Sequence, residues 1–189
     1  MRVSLLALLF LSAPLNAATL TVDTTSDADI GLCSAAPGDC SLRGAINTAN
    51  GTALPDTIAF NIPTSEPGCT PATGVCQISP GTALPSIFNG ELSIDGSTQP
   101  GAQPNTHTPD QGGSNAVLKI VLNGSACVSC ARGISYFTTG GTVRGLVVNG
   151  CLGVAAIDFS ARATVVGAVE GWFIATDVTG NSAGPNTSG

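Results

Sequence analysis

Ile120-Val121-Leu122-Asn123-Gly124 and, 26 residues later, Leu146-Val147-Val148-Asn149-Gly150 are one phrase written twice, an apolar run ended by an Asn-Gly corner. Ile94-Asp95-Gly96 precedes the first copy by 28 residues, and Ile174-Ala175-Thr176 follows the second by 26. Short β-branched runs recurring at such a period mark stacked coils, each burying its apolar side only against the coils above and below. This reading predicts an all-β solenoid over residues 91–189, incomplete at its C-terminal end. In that register Asn123 over Asn149 form a side-chain ladder, amide to amide along the stack. The alternative is that each is simply the turn residue of an Asn-Gly dipeptide.

The neighbouring sequence is written the same way. Residues 92–95, 117–122, 133–137, 143–149, 154–159 and 164–174 are short β-rich runs separated by Gly, Asn or Ser corners, and 19–22 and 56–62 alternate apolar with polar. Residues 96–114 are polar, rich in Pro, Gly, Gln and Asn, and read as one long surface loop. The exception to the strand pattern is Cys40-Ser41-Leu42-Arg43-Gly44-Ala45-Ile46-Asn47-Thr48-Ala49-Asn50. Leu42, Ala45, Ile46 and Ala49 fall at i, i+3, i+4 and i+7, one face of a helix over 41–50, with Ser41 as its N-cap. Fewer than three turns are marginal alone, so Leu42 and Ile46 are expected to insert as a lid over the open end of the first coil. Residues 18–90 are then an N-terminal cap region.

These segments resemble the CSLREA domain of secreted bacterial proteins, a module that precedes right-handed parallel β-helix repeats. Besides residues 40–50, the resemblance is carried by Ile94-Asp95-Gly96-Ser97-Thr98-Gln99-Pro100-Gly101, by residues 143–150, and by Glu170-Gly171-Trp172-Phe173-Ile174-Ala175-Thr176-Asp177. It implies a right-handed parallel β-helix with a short capping α-helix, displayed at a cell surface as adhesin-like proteins are. The departure is Gly44, where the family pattern has Glu. A Glu there would close a Ser-x-x-Glu capping box, and helical Gly costs about 0.8–1 kcal/mol relative to Ala, so Gly44→Glu is expected to raise the melting temperature.

Arg2, the apolar run 5–11 and Leu15-Asn16-Ala17-Ala18 have the three regions of a secretory signal, giving residues 1–17 as a signal peptide. No later segment reaches the ~20 apolar residues of a spanning helix, so membrane insertion is not expected. Six basic residues face twelve acidic ones, a net charge of −6, which disfavours nucleic acid and anionic membrane as partners. Seven cysteines in an exported chain read as disulfides. Cys33 with Cys40 and Cys69 with Cys76 each close a Gly/Pro-containing loop of equal length, and Cys127 with Cys130 form a tighter bridge. The functional alternatives for Cys127 and Cys130 are a redox dithiol or half of a zinc site, but a lone C-x-x-C is weak evidence for either: zinc would need two more ligands, and the only histidine, His107, lies in the Pro-rich loop. Cys151 is left over as a buried small hydrophobe. No metal or other cofactor is expected.

Catalytic patterns are sparse. Lyases and hydrolases of β-helix fold need clustered carboxylates with an Arg base or a paired acid and base. Asp95, Asp158, Glu170 and Asp177 fall at different phases of the repeat. Arg144 and Trp172 are glycan-contact candidates, set against a solvated surface Arg and a core Trp. The expected function is a secreted, non-catalytic structural or binding module presenting a rigid face to polysaccharide or cell-surface glycan, with end-to-end self-association at an uncapped C-terminal end. The alternative is part of a polysaccharide lyase or glycoside hydrolase.

Overall fold

The computed structural model describes residues 16–138, 140–150, 155–159, 168–170, 173–174, 176 and 179–180. β1 (Thr19–Val22) leads through a bridged loop to α1 (Leu42–Asn50), followed by β2 (Thr57–Phe60) and the hairpin strands β3 (Cys69–Thr70) and β4 (Val75–Ile78). Then come β5 (Ser93–Asp95), β6 (Ile120–Asn123), β7 (Arg132–Tyr136), β8 (Thr142–Arg144), β9 (Leu146–Asn149), β10 (Ala155–Phe159), β11 (Ala168–Glu170) and β12 (Phe173–Ile174). Short 3-10 turns follow β5 and β6 directly, at Gly96–Thr98 and Gly124–Ala126.

Among the described residues these strands form two five-stranded sheets and one pair. The first sheet runs β1-β2-β5-β8-β11, the second β12-β9-β6-β4-β3, and β10 pairs with β7. Every pairing is parallel except the β3–β4 hairpin. Apolar residues meet in columns across each sheet: Leu20, Ile58, Ile94 and Val143 in the first, Ile78, Leu122 and Val148 in the second. All seven are buried in one core that also holds Phe60, Ile134 and Tyr136. Each contributes roughly 1.5–3 kcal/mol of burial. The sheets cross residue 90 without a break, since β2 pairs with β5 and β4 with β6.

This overturns the expected all-β parallel β-helix. The fold is mixed α/β, built of several short parallel and mixed sheets with one α-helix, and no solenoid is found among the described residues. The single repeat register fails at its first member. Asp95 stands beside Ala59 and Arg144 in the first sheet, whereas Asn123 and Asn149 are neighbours in the second. The first two corners look alike in sequence because Asp95 and Asn123 make the same local turn, each side chain accepting a hydrogen bond from the backbone N–H two residues on. A shared turn carries no information about which sheet the preceding strand joins. One residue, Gly145, separates β8 in the first sheet from β9 in the second. It takes φ +70°, and a Cβ there would lie 2.5 Å from the Ser97 nitrogen.

The role of α1 changes accordingly. Its Leu42, Ala45, Ile46 and Ala49 are buried in the common core, and the helix packs against β1 and β2. With no solenoid there is no open end for it to close. Among the described residues no helix is long and apolar enough to cross a membrane.

Candidate functional site

The region around α1 is a dense polar network. Ser41 Oγ accepts from the Gly44 N–H at 3.0 Å and donates to the Ala28 carbonyl at 2.5 Å. Arg43 reaches Asp27, with NH2 2.7 Å from Oδ1, and also donates to the carbonyls of Thr82 and Ala83. Gly44 is not a weakened capping-box position. The Ile30 carbonyl oxygen would lie 2.0 Å from a Cβ built on it. The helix approaches the 28–31 segment so closely that only hydrogen fits, and the expectation that Glu would stabilise this position is reversed.

The cysteines pair as Cys33–Cys40, Cys69–Cys76 and Cys127–Cys130, which places the chain in an oxidising environment. Cys151 and Trp172 lie outside the described residues. Asn123 and Asn149 are direct neighbours on parallel strands, with Asn123 Oδ1 accepting from the Ser125 N–H at 3.0 Å. Arg144 is paired with Asp95, NH2 to Oδ2 at 2.5 Å, across adjacent strands. Burial by itself would raise the Asp95 pKa, but hydrogen bonds from Arg144 and Ser97, with the Arg144 charge, outweigh it and leave the carboxyl below its ordinary value. The guanidinium is half exposed, and Glu170 occupies the next position along the same register. Arg132 and Asp158 form a similar pair on β7 and β10. Among the described residues no group of three or more His, Cys, Asp or Glu is placed to hold a metal ion.

Two features escaped the sequence reading. The first is a groove of about 720 Å³ along the second sheet, lined by Thr25, Thr70, Gln77, Ser79, Val121 and Asn149 among others. Its wall is the hairpin β3–β4, pinned by Cys69–Cys76. Gln77 Nε2 donates to Ser79 Oγ at 2.9 Å, fixing the amide toward the groove's polar lining. A second groove of about 520 Å³ shares Thr70 and Val75 with the first, so the two meet at the hairpin, and it is bordered by Thr73, Val117 and Lys119. Beneath them Leu118, Val121 and Val147 form a separate apolar cluster flanked by Val75 and Ala116, which gives the grooves a packed floor. The residues come from segments far apart in the chain, and no local motif joins them. The second feature is an exposed aromatic pair, Phe88 and Phe137, with ring centroids 5.9 Å apart. Neither residue stands in a run that sets it apart from core filling.

No family model, curated protein or solved structure matches this chain.

Proposed function

We propose that the chain is a secreted, non-catalytic structural and binding module that presents the outer side of its second sheet to glycans. The observation that carries this reading is the lining of the larger groove. Among the described residues its side chains are hydroxyls, amides and small apolar groups, and no ionisable one borders it. Such a surface offers donors and acceptors together, which suits a polyhydroxylated ligand. The described lining supplies no group to move a proton, which acid–base hydrolysis or β-elimination requires. Parallel pairing of β4, β6 and β9 and the disulfide across the hairpin hold the lining in place without ligand, so little ordering entropy is lost on binding. The resemblance of residues 40–50 to secreted CSLREA proteins points to the same extracellular setting.

Purified chain run over immobilised glycans tests the reading. Retention without release of new reducing or unsaturated ends is expected, and Gln77→Ala should weaken retention several-fold by removing both amide partners. Turnover of pectin or alginate, with or without Ca²⁺, that is abolished by Arg144→Ala would replace this reading with the lyase or hydrolase alternative.

A further inference from the structure

Four Lys and Arg side chains fall among the described residues, and three are matched to carboxylates: Arg43 to Asp27, Arg132 to Asp158 and Arg144 to Asp95. The fourth, Lys119, is the chain's only lysine and faces no carboxylate among the described residues. It borders the smaller groove, where its ammonium donates to the Thr73 carbonyl at 2.6 Å. That single bond leaves two of its three N–H donors for another acceptor. Its aliphatic stem runs past Gly101, where a Cβ would sit 3.5 Å from Lys119 Cε, so the head is positioned between the long loop and the hairpin. In a protein of net charge −6, a cation held by one carbonyl beside a groove is a feature that the other described cations do not repeat.

We infer that Lys119 anchors an anionic substituent, a carboxylate or a sulfate, of a glycan whose neutral sugars lie along the adjoining larger groove. This rests on the glycan-binding reading above and assigns its ligand class. Thr70 and Val75, common to both grooves, make one continuous track across the stapled hairpin, so the ligand is an oligosaccharide and not a single sugar. An ammonium-to-anion hydrogen bond in a partly solvated site corresponds to about a tenfold gain in affinity.

The test uses the full chain against three oligosaccharide series of matched length: neutral, uronic-acid and sulfated. The inference expects one anionic series to be retained about tenfold better than the neutral one. It also expects that preference to vanish in Lys119→Gln and return in Lys119→Arg. Preference for uronate over sulfate, or the reverse, identifies the source of the anion. If Lys119→Gln does not fold, acetylation of the folded chain, which has no other lysine, removes the same charge. Equal retention of neutral and anionic series, or a preference that survives Lys119→Gln, overturns the Lys119 assignment and leaves glycan binding standing. Retention of none of the three series overturns glycan binding itself.

Discussion

The surroundings of α1 and the strand columns of the two sheets are stabilised in different ways, although both feed one core. Around α1 the chain is held by discrete polar contacts and close backbone approaches. Ser41 serves Gly44 and Ala28, Arg43 serves Asp27, Thr82 and Ala83, and Asn89 Nδ2 donates toward Ala49, Thr52 and Leu54. Along the columns the same apolar contact is repeated from strand to strand, as in Leu20, Ile58, Ile94 and Val143. A repeated contact spreads a perturbation over several neighbours, whereas a unique one concentrates it. Polar substitutions and added atoms should therefore be tolerated less near α1 than at the strand edges.

The largest expected effect is at Gly44. Gly44→Ala forces a methyl against the Ile30 carbonyl, and since neither element can shift without breaking the Ser41 contacts, a loss of about 3 kcal/mol or more is expected by chemical denaturation. A neutral or stabilising outcome would remove the basis of the comparison. Next is the staple beside it. Replacing Cys33 and Cys40 with Ala opens a loop with a sequence separation of 7, for which chain entropy gives about 2.5 kcal/mol. Removing Cys127 and Cys130, with a separation of 3, should have a smaller effect, about 2 kcal/mol.

Tyr136 is where the strand region borrows the device of the helix region. Its hydroxyl donates to the Leu92 carbonyl at 3.0 Å while its ring stacks on Phe159. Tyr136→Phe should cost about 1 kcal/mol. Burial pushes the phenol pKa up, so the folded state holds its proton more tightly than the unfolded chain. The corresponding stability is fully present below about pH 10 and declines as pH rises beyond it. A thermal melt series across that range, wild type against Tyr136→Phe, isolates this contribution as the difference.

The smallest effect belongs to the Arg144–Asp95 pair. Arg144→Gln leaves Asp95 without its cation, but the guanidinium is 51% exposed, so under about 1 kcal/mol is expected. Because the Asp95 pKa is lowered in the folded state, its contribution is present above the ordinary carboxylate range and lost as pH falls through the native value. Arg144→Gln should narrow the difference in stability between neutral and acid pH. A loss as large as that of Gly44→Ala would show that the two regions do not differ in the way described.

Much of the local structure could be read without coordinates. The helix over 41–50 agrees with α1 and its Ser41 cap, because apolar spacing and a hydroxyl before the first turn are local signals. The three disulfide pairings follow loop spacing that is likewise local. The sheet assignment could not be read the same way. Ile94-Asp95-Gly96 and Leu122-Asn123-Gly124 share a turn, yet their strands lie in different sheets. The grooves were invisible for a related reason: Thr25, Thr70 and Asn149 line one of them, and Thr70 and Lys119 the other, only once the tertiary structure brings distant segments together.

Sequence alone therefore determined the elements whose causes lie within a turn or two of the chain: the capped helix, the stapled loops, the short apolar strands and the acidic balance. Tertiary structure alone decided how those strands were divided between sheets, why Gly44 must remain Gly, and which polar side chains share a face. Capping and periodicity act between residues a few positions apart, whereas sheet membership and close backbone approach depend on partners dozens of residues away that no local pattern specifies.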